Sequence, residues 1–206
     1  ALGNNTQSFF SGIQIANGAN SNLIGTNGDG IADNAERNVV SGNIGYGILI
    51  RAVGTDANVV AGNYIGTDAT GTTAVGNGQY GIQIQVGAQS NRIGTNGDGI
   101  ADAAERNIIS ANNGLGVWVG GVGTNHNVIA GNYIGLDKTG VVDLGNGTQQ
   151  WHSGIAIDGG AKFNLVGTDG DGVGDDAEGN VISGTTGFGL VIGGAGTESN
   201  IVAGNR

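Results

Sequence analysis

The chain has 206 residues, 45 of them glycine, and contains no Cys, Met or Pro. Its formal charge of −10, with seven Lys plus Arg against 17 Asp plus Glu, argues against nucleic acid and anionic membrane surfaces as partners. No disulfide can staple it, aromatics are too few for a core of large side chains, and no apolar run approaches the roughly 18 residues of a membrane span.

Glycine at this level usually signals a linker, but here it alternates with Val, Ile and Leu and reads as turns between short strands. From the start, the chain is a repeat. ALGNN at Ala1 returns as AVGNG at Ala74 and DLGNG at Asp143, dividing 1–206 into units of about 1–73, 74–142 and 143–206 within a single domain. Strand-like segments GIQI at Gly12, GILI at Gly47, GIQI at Gly81, GVWV at Gly116, GIAI at Gly154 and GLVI at Gly189 follow at intervals of about 34 to 38 residues, two per unit. A second motif is Asn followed two residues later by Val or Ile. It occurs at Asn22, Asn38, Asn58, Asn91, Asn107, Asn127, Asn164, Asn180 and Asn200, with spacings of 16 and 20 in every unit. Helical periodicity is absent.

Similar strands without helices satisfy their backbones by stacking on like neighbours. The pattern predicts an all-β fold, a parallel β-helix solenoid of about six coils in three double-coil repeats. At about 4.8 Å per coil it would be roughly 29 Å long. The crossover rule makes the expected winding right-handed. Ile13/Ile15, Ile48/Ile50, Ile82/Ile84, Val117/Val119, Ile155/Ile157 and Leu190/Ile192 are expected inside, and each motif Asn at a coil corner. Outside, Leu49, Trp118 and Val191 share one slot in alternate coils and predict a row of exposed apolar groups, a candidate contact for a glycan or a lateral protein partner.

One stretch carries chemistry. GTNGDGIADNAE at Gly25 recurs as GTNGDGIADAAE at Gly94 and GTDGDGVGDDAE at Gly167, 69 and then 73 residues on. Aligned with a twelve-position calcium loop, the ligands would be Asn27, Asp29, the Ile31 carbonyl, Asp33 and Glu36. The second loop offers Asn96, Asp98, Ile100, Asp102 and Glu105, and the third Asp169, Asp171, Val173, Asp175 and Glu178. Position 1, ordinarily Asp, is Gly25, Gly94 or Gly167. A missing ligand predicts weak Ca2+ binding, about 10⁻⁴ to 10⁻³ M. His126 and His152 have no matched acidic or nucleophilic partner in sequence. The outward face of the six strands offers one Asp, Asp158, and one Arg, Arg51, where paired carboxylates would be needed to cleave a glycosidic bond.

GNYIGTDATGT and RNVVSGN resemble the long repeat arrays of very large bacterial surface proteins, and the whole chain resembles the pectate-lyase-like parallel β-helix family. The acidic loop is similar to the NGDG-type loops of dockerins and thrombospondin-like calcium repeats. The family resemblance implies the fold. It spreads function over lyases, hydrolases, epimerases, phage tailspikes and non-catalytic adhesins. The expected role is a non-catalytic, calcium-stabilised rod in an extracellular filament or cell-surface adhesin. The alternative is a module that binds or cleaves a polysaccharide. The chain opens and closes in mid-unit, so the expected partners are more coils of the same kind, in a longer array or by end-to-end self-association.

Overall fold

The computed structural model describes residues 3, 4, 7 and 10–206. Of the opening ALGNN segment only Gly3 and Asn4 fall within this range; the rest lies outside the described residues. The described chain winds through about six turns of a parallel β-solenoid with three sheets. Sheet A stacks Ser11–Ala16, Tyr46–Arg51, Ile82–Gln85, Val117–Gly120, Ser153–Asp158 and Phe188–Ile192. Sheet B stacks Leu23–Gly25, Val59–Ala61, Arg92–Gly94, Val128–Ala130, Leu165–Gly167 and Ile201–Ala203. Sheet C stacks Val39–Val40, Tyr64–Ile65, Ile108–Ile109, Tyr133–Ile134 and Val181–Ile182. Every pairing within a sheet is parallel, so each strand meets its equivalent one coil away.

The period-two alternation sets the inside. Ile48/Ile50, Ile82/Ile84, Val117/Val119 and Ile155/Ile157 stack in register as fully buried columns on sheet A. Val60, Ile93, Ile129 and Val166 close the core from sheet B, and Val40, Ile65, Ile109 and Ile134 from sheet C. At the outer coils the columns thin out. Ile13 and Leu190 are partly buried, while Ile192 is exposed, with no described coil beyond it.

The corners hold three asparagine ladders. Before sheet B run Asn22, Asn58, Asn91, Asn127, Asn164 and Asn200; before sheet C run Asn38, Asn63, Asn107, Asn132, Asn180 and Asn205. After sheet C come Asn43, Asn77, Asn112 and Asn146. The geometry repeats. In Asn91, Nδ2 donates to Asn127 Oδ1 and to the Thr55 carbonyl, while its backbone N–H donates to the same Asn127 oxygen. Each interior amide thus satisfies itself and both neighbouring coils, which is why most of these polar side chains can be fully buried.

The strand alternation did not reveal one feature. Inside the three acidic loops lie a single 3-10 turn, Asp33–Ala35, and two four-residue α-turns, Asp102–Glu105 and Asp175–Glu178. Each begins with Asp in its first turn, where a carboxylate meets free backbone N–H groups, and contains the good helix former Ala.

Candidate functional site: an acidic loop ridge and an aromatic groove

The acidic loops occupy the corner between sheets B and C in the first, third and fifth coils. The coils between them turn the same corner with Gly62-Asn63, Gly131-Asn132 and Gly204-Asn205. The first two short corners are each caught between two loops. The Gly62 N–H donates to the Glu105 carbonyl at 2.6 Å, and the Gly131 N–H to the Glu178 carbonyl at 2.6 Å. Arg37 and Arg106, immediately after their loops, donate from Nε to the carbonyls of Gly62 and Gly131. Their guanidinium groups lie 4.2 Å over the rings of Tyr64 and Tyr133. The loops therefore form one continuous ridge along the solenoid.

Within each loop the side chains do distinct work. Thr26, Thr95 and Thr168 donate from Oγ1 to Asp33, Asp102 and Asp175, at 2.7, 2.8 and 2.8 Å. Asp29, Asp98 and Asp171 accept the N–H of Ile31, Ile100 and Val173, whose side chains stand exposed at the loop tips. Glu36, Glu105 and Glu178 turn back and accept the N–H of Asn27, Asn96 and Asp169. Glu105 is 1% exposed and also accepts from Thr95 Oγ1, with Arg92 Nη1 at 3.5 Å. Its other oxygen approaches the preceding loop so closely that a Cβ on Gly28 would lie 2.5 Å from it; Glu178 does the same at Gly97. The glutamates thus join consecutive loops.

Among the described residues, one set of acidic side chains converges as metal ligands do. Carboxylate oxygens of Asp169, Asp171 and Asp175 lie within 4.8 Å of one another, exposed or half-exposed, and Glu178 stands outside that set. An all-oxygen donor set of this kind suits a hard cation such as Ca2+. In the other two loops an Asn takes the place of Asp169, and Asn27 and Asn96 hydrogen-bond Asp29 and Asp98 through Nδ2. The glycine at position 1 has a steric cause. Gly25, Gly94 and Gly167 end sheet B strands with φ of 109°, 104° and 102°, and a Cβ there would sit 1.8, 1.8 and 1.7 Å from the carbonyls of Ala61, Ala130 and Ala203. No side chain ligand can be carried at that place.

The outer face of sheet A carries the second feature. Gln14, Leu49, Gln83, Trp118, Ala156 and Val191 do share one slot in register. They do not form an exposed apolar row, because Leu49 is only 1% exposed between Gln14 and Gln83, while Trp118 and Val191 are half-exposed. The apolar surface lies instead in a groove of about 440 Å³ over the last four coils. Tyr80, Leu115, Trp118, Ala156, Asp158 and Val191 line it together with Phe188 and with Trp151, His152 and Ser153 from the longer linker. Tyr46, Tyr80 and Trp118 make a run of tilted ring contacts at 5.7 and 6.0 Å. The indole of Trp118 folds over Gly120, where a Cβ would be 2.2 Å from the ring. Burial, then the nearby Tyr46 and the Asp158 charge, raise the Tyr80 hydroxyl above its usual pKa.

Neither histidine is simply solvated. His152 Nδ1 accepts the N–H groups of Thr148 and Gln149, and His126 stacks on Phe163 with ring centroids 5.2 Å apart. Trp151 and His152 belong to no repeated motif, and the length of the TQQWHSG linker was the available signal for them; Tyr80 stands in the repeated slot before the strand glycine, which Leu115, Ser153 and Phe188 fill in the later coils. No protein-family model matches the chain, and neither a curated protein nor a solved structure matches it.

Proposed function

We propose that this chain is a structural rod of extracellular or cell-surface architecture, stiffened by Ca2+ held along its ridge of acidic loops. The observation that carries this reading is the set of three asparagine ladders, which tie the coils together at every corner. A fold whose buried polar groups are satisfied by amides and carbonyls of the neighbouring coils resists bending and slippage between coils. The resemblance to surface-protein repeat arrays supports the same reading. So does the exposed apolar surface of Phe188, Ile192, Ile201 and Val202 on the outermost described coil, which a further coil of this chain or of a second copy would cover.

Calcium fits as reinforcement. Seventeen acidic side chains against seven basic ones repel one another, and the loops bring several acids onto one ridge. Thermal melting with calcium chloride and with a chelator tests this. With a dissociation constant near 10⁻³ M, about 10 mM calcium adds ~1.4 kcal/mol per occupied loop. Identical melting curves would remove the metal from the proposal. Electron microscopy at high protein concentration tests self-association: fibres support stacking of copies, and discrete short particles count against it. Unsaturated product from polygalacturonate, followed by ultraviolet absorbance, would overturn the structural reading in favour of a lyase.

A further inference from the structure

We propose that the groove between Trp118 and Trp151 binds a neutral sugar ring, its apolar face laid on the indoles and its hydroxyls met by Asp158 and His152. This goes beyond the rod reading and does not depend on it. Three properties of the groove select this occupant.

The first is shape and surface. Aromatic faces from Tyr80, Trp118 and Trp151 surround a floor of Ala156 and Val191, and the groove volume of about 440 Å³ falls in the range of roughly 300–1,000 Å³ typical of small-molecule sites. Trp151 is 70% exposed although it is the most strongly apolar side chain of its linker, and it lies edge-on to His152 at 6.0 Å. An exposed indole facing a groove offers stacking surface at low cost in conformational entropy.

The second is the pattern of polar groups. Because His152 Nδ1 accepts two backbone N–H groups, the proton of the neutral ring sits on Nε2, which is therefore a donor. Asp158 is an acceptor at the groove. A purely aliphatic segment would leave both unmatched, and covering an unmatched polar group is costly. A pyranose presents C–H groups on its faces and hydroxyls on its rim, which is the complementary pattern.

The third is charge. Among the described residues no Lys or Arg lines the groove, its carboxylate is Asp158, and the whole chain carries −10. A uronate or sulfated sugar would be repelled, so the occupant is neutral.

The test uses an accident of composition: Trp118 and Trp151 are the chain's two tryptophans, so tryptophan emission, excited selectively over tyrosine, reports on this groove alone. Titration of the intact chain with cellohexaose, xylohexaose and chitohexaose should quench and blue-shift the emission for at least one of them, while polygalacturonate gives no response. Trp151→Ala should weaken the binding at least ~10-fold by calorimetry, with unchanged melting temperature, and Trp151→Phe should restore most of it. Absence of response to all three neutral oligosaccharides at ~10 mM would overturn the proposal. So would a response to polygalacturonate alone, or an emission shift that grows with protein concentration in the absence of sugar, which would put a second copy in the groove.

Discussion

At the scale of the residue, the ladder asparagines carry the fold. Asn127 is fully buried. Its Oδ1 accepts the backbone N–H and the Nδ2 of Asn91, its Nδ2 donates to the Ala88 carbonyl and to Asn164 Oδ1, and its own N–H donates to that same Asn164 oxygen. Alanine at this position removes both side-chain groups and strands their partners on two coils. At about 1–3 kcal/mol for each buried group left unmatched, the loss is several kcal/mol, a large part of a typical domain's stability. The equivalent change at Asn200 strands Asn164 on one side only, and Asn200 meets solvent, so Asn200→Ala should cost about 1 kcal/mol. Thermal melting of the two variants distinguishes them. Equal shifts would mean that the ladders follow the stacking of the strands rather than stabilise it. Leu49 shows the limit of reading one residue at a time. Alternation puts it outside, and it is outside the core, yet its neighbours on the sheet surface cover it.

At the scale of the element, the acidic loop has to be understood with the strand that feeds it. A calcium loop read in isolation wants Asp at its first position. Here that position is the last residue of a sheet B strand, held at positive φ against the next coil's carbonyl. Gly94→Asp would seem to complete the ligand set. The expected outcome is the reverse: a Cβ 1.8 Å from the Ala130 oxygen must displace the coil, so the variant should lose several kcal/mol or fail to fold, with no gain in calcium response. Gly94→Ala, which adds the Cβ without a ligand, should be just as damaging. Gly99→Ala adds a Cβ into open space at φ of 82°, and its cost should stay near 1 kcal/mol. If Gly94→Asp folded and raised the calcium-dependent melting shift, the steric account of the loop would be wrong. The loop's place between Asn22 and Asn38 was legible in the sequence, because offsets repeated three times are hard to mistake. The direction of Glu105 was not, since it depends on the neighbouring loop coming within reach of its carboxylate across an intervening coil.

At the scale of the whole molecule, the strand columns of sheet A could be read directly, because their spacing is nearly constant and alternation needs no knowledge of the neighbour. The ladders could be read only in part. The nine Asn-x-Val/Ile motifs at the 16-and-20 spacing belong to two different ladders, and the second also recruits Asn63 and Asn132, which carry Asn-x-Ile outside that spacing, and Asn205, which is followed by Arg206. Its steps alternate between 25 and 44 or 48 residues because the acidic loop lengthens every other coil, so no fixed period finds it. The third ladder, at Asn43, Asn77, Asn112 and Asn146, follows sheet C with no hydrophobic marker behind it. These ladders and columns couple each coil only to the coils on either side, and that dictates how the molecule should come apart. Stability in such a stack is a sum of coil terms and neighbour terms, so coils with two neighbours are protected and outer ones fray. Native-state hydrogen exchange should therefore show the slowest amides in Ile82–Gln85 and Val117–Gly120, where the inward side chains are fully buried. Phe188–Ile192 and Ile201–Ala203, whose apolar side chains are partly in solvent, should exchange fastest among the strands. Asn127→Ala should then speed exchange in the coils on both sides of it while leaving Tyr46–Arg51 close to its native rate. Uniform protection across all six coils, falling everywhere at once in the variant, would instead describe a single cooperative unit and would sink the picture of a rod held together coil by coil.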